Sequence, residues 1–179
     1  MTQIGMNYAC ALYDLALEEN KTEEILQQLQ SLDESFAAEP AFLRLLSAPN
    51  VPKQERCDVV DKSFRGKVHP YVLNFLKILT ERGYGRYFSD CRKAFEDRYN
   101  ADNGILPVCA VTALPLNPDQ SARLTEKLQA ITGKTVKLQN RVDPACLGGV
   151  RLTYDGKQVD GTVQSRLDAV GNLLKNTVL

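Results

Sequence analysis

The chain has 179 residues, 44% hydrophobic and 25% charged, with 22 Lys and Arg matched by 22 Asp and Glu, which is ordinary for a globular protein of one domain or two small ones. The net charge of zero gives no global pull toward nucleic acid or an anionic membrane, and no run approaches the ~18 apolar residues that span a bilayer. Cys10, Cys57, Cys91, Cys109 and Cys146 are scattered, odd in number and never in a Cys-x-x-Cys pair, which predicts neither a zinc site nor a disulfide framework but small buried thiols in a reducing compartment. The start of the chain has no basic region ahead of an apolar stretch, and no Arg precedes Arg44. Neither a secretory signal nor a transit peptide is therefore expected.

In chain order, the spacing predicts a first helix over about 3–19. On a wheel at ~100° per residue, Asn7, Asp14 and Glu18 form a narrow polar strip. Ile4, Tyr8, Ala9, Leu12, Tyr13, Leu15, Ala16 and Leu17 cover most of the remainder. Ile25, Leu29, Leu32 and Phe36 then recur at helical spacing. Pro40, Pro49, Pro52 and Pro70 sit at or near predicted helix starts, where a missing N–H costs little. A helix over 71–82 carries Tyr71, Val72, Leu73, Phe75, Leu76, Ile78 and Leu79, leaving Asn74, Lys77 and Glu81 as its polar strip. Gly83 and Gly85 punctuate its end, and Phe88, Cys91, Phe95 and Tyr99 mark a further helix. About six helices with short connections suggest a bundle.

The chemistry changes near Asn103-Gly104. Twelve of the 13 aromatic residues precede that point, and seven of the 11 glycines lie from Gly104 onward. Residues 1–104 carry 13 basic against 16 acidic side chains, and residues 105–179 carry nine against six. We therefore expect an α+β protein of two domains: an N-terminal six-helix bundle over 1–104 and a small C-terminal α/β domain over 105–179. In the second half, Leu106 to Ala113 reads as a strand. Asn117-Pro118 caps a helix with Leu124, Leu128 and Ile131, which Gly133 ends. Val136, Leu138 and Val142 alternate as a second strand. Gly148-Gly149 closes the next loop. Asp155-Gly156 between Val150–Tyr154 and Lys157–Val159 is a two-residue hairpin signal, because both turn residues tolerate positive φ. Asp160-Gly161-Thr162 offers capping oxygens to a last helix with Val163, Leu167, Val170 and Leu174 on one face. Gly148, Gly149, Asp155, Gly156 and Asp160 are thus read as turn and cap residues.

No constellation supports catalysis, and no cofactor or metal is expected. Gly133-Lys134-Thr135 lacks the glycine five residues earlier and follows a helix instead of opening one, so it is a helix end and not a phosphate loop. Gly83-Tyr84-Gly85 lacks the third glycine of a dinucleotide fingerprint. His69, the single histidine, precedes Pro70 with no partner at motif spacing. Asp143, Asp155 and Asp160 lack the glutamate and spacing of a calcium loop. What stands out is the wide apolar arc of the first helix and of the 71–82 helix, since a surface helix needs a stripe only somewhat over ~100° wide. Either both helices are central in the bundle, or their excess faces form a groove for an amphipathic helix of another protein.

Several segments resemble the delta subunit of bacterial ATP synthase, a family related to the mitochondrial oligomycin-sensitivity-conferring protein. They are Tyr8-Ala-Cys-Ala-Leu-Tyr-Asp-Leu-Ala16, Leu79-Thr-Glu-Arg-Gly-Tyr-Gly-Arg86, Thr132-Gly-Lys-Thr-Val136, Val142-Asp-Pro144, Leu147-Gly-Gly-Val150 and Asp160-Gly-Thr-Val-Gln-Ser-Arg-Leu167. The resemblance covers nearly the whole chain, with Thr162 where serine is common and Gly85 inserted near the middle turn. It implies a non-catalytic stator subunit, one copy per complex, at the cytoplasmic face of the bacterial cell membrane and bound to the membrane only through the complex. The implied partners are the N-terminal helix of an alpha subunit, in a groove of the first and fifth helices, and the C-terminal ends of the b subunits, at the C-terminal domain. Carried onto this sequence, the groove comprises Tyr8, Ala11, Leu12, Leu15, Asn74, Phe75, Ile78 and Leu79. Tyr8, Leu15, Phe75 and Ile78 are the expected anchors, and Ala11 lets a partner helix approach closely. Two other readings are an enzyme with its site in the C-terminal domain, for which the sequence offers no cluster of convergent titratable groups, and a cytoplasmic adaptor that binds amphipathic helical peptides.

Overall fold

A computed structural model describes residues 2–48 and 50–167 of the chain, without the side chain of Ile4. Pro49, Val170 and Leu174, named in the sequence reading, lie outside the described residues. The protein is a mixed α+β chain that divides into two compact units, Met1–Tyr99 and Asn100–Leu179.

The first unit is helical. Helix α1 (Gln3–Glu18) is capped by Thr2, whose hydroxyl accepts from the Gly5 N–H. Asp90 in turn accepts from the N–H and hydroxyl of Thr2 at 3.0 and 2.8 Å, and these bonds hold its carboxyl below the usual range. Helix α2 (Thr22–Ala38) buries Ile25, Leu26, Leu29, Leu32 and Phe36, the i, i+4, i+7, i+11 stripe that an amphipathic helix presents to a core. Helices α3 (Pro40–Leu46) and α5 (Pro70–Glu81) begin on proline, and α4 (Lys53–Phe64) follows Pro52. A short 3₁₀ turn, Gly85–Tyr87, leads into α6 (Phe88–Asp102). Edge-to-face aromatic contacts organise the core: Tyr13 on Phe95 with centroids 5.2 Å apart, and Phe36 on Phe88 at 4.9 Å.

The second unit holds a four-stranded sheet of order β2-β1-β3-β4. Strand β1 (Ile105–Thr112) pairs in parallel with β2 (Thr135–Val142), and α7 (Pro118–Thr132) forms the crossover. Helix α7 opens on a reciprocal capping box: the Asn117 side chain accepts from the Gln120 N–H, and the Gln120 side chain accepts from the Asn117 N–H. It ends at Gly133 in the left-handed region. Leu106, Val108, Leu128 and Val136 form the core between sheet and helix. Strands β3 (Val150–Tyr154) and β4 (Lys157–Asp160) form a hairpin. Its turn residues Asp155 and Gly156 both have positive φ, 48° and 71°, as a turn matched to the strand twist requires. Residues 163–167 are helical.

Candidate functional site

Helices α1 and α5 pack side by side. Contacts at both ends fix their sense. Near the start of α1, Tyr8 meets the ring of Tyr84, just beyond α5, with centroids 6.2 Å apart. Past the end of α1, Glu19 accepts a 2.6 Å hydrogen bond from the hydroxyl of Tyr71, in the first turn of α5. The helices are therefore antiparallel, and the seam between them runs from the Tyr8–Tyr84 pair to the Glu19–Tyr71 pair.

Between those ends the seam splits into floor and rim. Leu12, Phe75 and Leu79 are buried, Phe75 only 6% exposed and packed toward Phe88 at 6.3 Å between centroids. They belong to the core and form the floor. This corrects the expectation that Phe75 is an anchor: its ring is already spent on α6. Ala11, Leu15, Asn74 and Ile78 are exposed, and Tyr8 is half-buried. Leu15 and Ile78, large apolar side chains on adjoining helices, each leave 44% of their surface open, and Met6 and Leu17 of α1 are exposed as well. The wheel could not separate Phe75 from Ile78, since both lie on the apolar arc of α5. Lys77, placed on the polar strip by sequence, ion-pairs with Asp61 of α4. The end pairs Tyr8–Tyr84 and Glu19–Tyr71 were missed, because their partners are more than 50 residues apart and no local spacing signals them.

His69 is the N-cap of α5, with its Nδ1 accepting from the Tyr71 N–H at 3.3 Å. Its Nε2 lies 3.3 Å from Lys21 Nζ and 4.0 Å from Glu19. It has a capping role in a small polar cluster that closes this end of the seam. The phenol of Tyr71 is pushed up by its hydrogen bond to Glu19.

The C-terminal turn and cap residues form a second constellation, structural in kind. Gly149 has φ of 78°, and a Cβ there would lie 2.4 Å from the Gly161 carbonyl oxygen. The Gly148 carbonyl accepts from the Val163 N–H. Asp160 Oδ1 accepts from the N–H and hydroxyl of Thr162, and its Oδ2 accepts from Arg151 Nε at 2.9 Å. Those bonds, first to Thr162 and then to Arg151, hold the Asp160 carboxyl below its ordinary range. The groups are used up in turns and caps, and none faces a shared reacting atom. Among the described residues there is no group of three or more His, Cys, Asp or Glu that could hold a metal ion, and no helix is long and apolar enough to cross a membrane.

Comparison with known proteins bears on the whole chain. Residues 4–174 match the family model described as the ATP synthase delta (OSCP) subunit. The ATP synthase subunit delta of Alkaliphilus oremlandii is 32% identical over 164 residues, covering 92% of this chain and 91% of that protein. The subunit of the same name from Clostridioides difficile is 31% identical over 176 residues, covering 98% and 97%. Among solved structures, a chain of the Toxoplasma gondii mitochondrial ATP synthase hexamer is similar in fold, with a TM-score of 0.74 at 24% identity, covering 97% of this chain and 98% of that one.

Proposed function

Because the chain belongs to the ATP synthase delta (OSCP) subunit family, and is thus a non-catalytic subunit of a rotary ATP synthase, we propose that it serves as the stator joint of that complex. Helices α1 to α6 act as the family's six-helix N-terminal domain and hold the catalytic head. The residues from 105 onward act as its C-terminal domain and meet the C-terminal ends of the b subunits. The subunit works as one copy per complex at the cytoplasmic face of the membrane, attached only through its partners.

The carrying observation is the rim of the α1–α5 seam: Leu15 and Ile78 stay open where two helices already pack on a buried floor. An amphipathic N-terminal helix of an alpha subunit laid along that seam covers both. Ala11 leaves room for its backbone, Tyr8 flanks it, and Asn74 supplies a polar contact. A stator joint must resist torque, and desolvated aliphatic and aromatic anchors favour the slow dissociation this needs.

Titration of the full chain with a peptide of the cognate alpha-subunit N-terminus tests the reading. A carboxylate placed in the seam is buried unpaired on binding, which is costly. Ile78→Asp and Leu15→Asp are therefore expected to weaken binding by about 2 kcal/mol or more while the helical circular dichroism stays unchanged. Asn7→Ala, on the exposed polar strip of α1, serves as the control and is expected to bind as the parent does. Normal affinity in both carboxylate variants places the groove elsewhere; loss of fold in both makes these residues core.

A further inference from the structure

A cavity of about 620 Å³ lies where the end of α3, the start of α4 and the end of α5 meet, with Tyr84, at one end of the seam, in its wall. Helix α4 starts there behind Pro52 with no side-chain cap, so the N–H groups of Lys53, Gln54 and Glu55 have no acceptor within the helix. None of the three is bonded to another described residue. One turn further, Arg56 is only 5% exposed and lines the cavity. Its Nη1 donates to the Leu46 carbonyl at 2.8 Å, but its Nε has no hydrogen-bond partner. No carboxylate among the described residues forms an ion pair with it. Ser47, also on the cavity wall, has a buried and unpartnered hydroxyl. Lys53 and Arg82 complete a cationic lining against one acid, Glu81.

A buried guanidinium without a counter-anion is costly, and here the missing charge and the missing acceptor coincide. Donor-bearing residues of different segments line the cavity: Ser47 after α3, Lys53 and Arg56 of α4, and Arg82 after α5. A carboxylate offers two oxygens in one plane, whereas a tetrahedral oxyanion offers acceptors in several directions to such a set. We propose that this cavity binds a phosphate group, either as the free ion or carried by a small molecule such as a nucleotide, with Arg56 and Ser47 as its buried donors.

The test is a ¹H–¹⁵N NMR titration of the full chain with sodium phosphate, with ADP and ATP as separate arms and sodium chloride and sodium acetate at matched ionic strength as controls. The expected result is a saturable shift confined to the amides of Lys53, Gln54 and Glu55 and the Arg56 Nε–H. Arg82→Gln and Lys53→Gln, both at exposed positions, should each raise Kd at least threefold with the rest of the spectrum unchanged. Saturation by phosphate alone assigns the free ion; saturation only by the nucleotides assigns the carried group. Shifts that fail to saturate, that chloride or acetate reproduces, or that ignore both substitutions overturn the proposal.

Discussion

At Gly149 a positive φ and a carbonyl oxygen 2.4 Å from the would-be Cβ act together, so any side chain meets backbone atoms that cannot rotate away. Gly149→Val is expected to destabilise the second unit by about 2 kcal/mol or more, read from a denaturant melt that follows Tyr154; a melt matching the parent would refute the close approach. Asp160 makes a pH argument. Its folded-state pKa lies below the unfolded value, mainly through its bonds to Thr162. Its contribution is therefore fully present above the unfolded carboxylate pKa of about 4 and lost as pH falls from there through the depressed folded value. Asp160→Asn keeps one acceptor and removes the charge, so the variant's stability should fall less steeply than the parent's in that acid window. Equal slopes in urea midpoints would show that other carboxylates dominate. Cys91 is buried beside Asp90, and burial first and that charge second push its thiol up to about 12. Alkylation at pH 8 should leave Cys91 unmodified in the folded protein, with all five thiols reacting after denaturation; rapid native labelling would contradict its burial.

At the scale of the helix, α5 shows how floor and rim differ in energy. Phe75→Ala empties a core position and is expected to cost about 3–5 kcal/mol. Ile78→Ala, just under one helical turn along α5 but open to solvent, should cost less than about 1 kcal/mol. Similar costs in thermal or chemical unfolding would remove the distinction on which the binding seam rests. Only part of this was legible in the sequence. Periodicity located the helices, because Ile25, Leu29, Leu32 and Phe36 must share a face whatever surrounds them. Local backbone chemistry located the Asp155-Gly156 hairpin turn, because positive φ is a demand on those two residues alone. A helical wheel, however, gives the angle of a side chain and not what lies opposite. Phe75 is core because Phe88 of α6 reaches it, and Lys77 is engaged because Asp61 of α4 stands nearby. The Arg56 cavity was invisible for the same reason: its walls come from the end of α3, the start of α4 and the end of α5, and an arginine within a polar helix carries no sign of burial.

For the whole chain the question is whether the helical unit stands without the sheet. Its largest buried side chains, Tyr13, Ile25, Leu29, Phe88 and Phe95, all precede residue 100, and so do the aromatic contacts that join them. The division of contacts falls at Tyr99, three residues before α6 ends at Asp102. A cut there would strip the last turn of a helix whose Phe95 is fully buried. Gly104, with φ of 62°, is a better terminus, since a left-handed glycine ends a helix without strain. We propose that residues 1–104 form an independent domain. The fragment should be strongly helical by circular dichroism and unfold in urea in one cooperative transition, with a slope of at least about 1 kcal/mol/M as expected for a small two-state domain. It should also bind the alpha-subunit peptide with the affinity of the full chain, because both walls of the seam lie within it. A broad transition would mean that the helices depend on the sheet for their packing, and the domain boundary would be wrong. A cooperative fragment that fails to bind would leave the boundary intact and move the partner's contact into the residues beyond it.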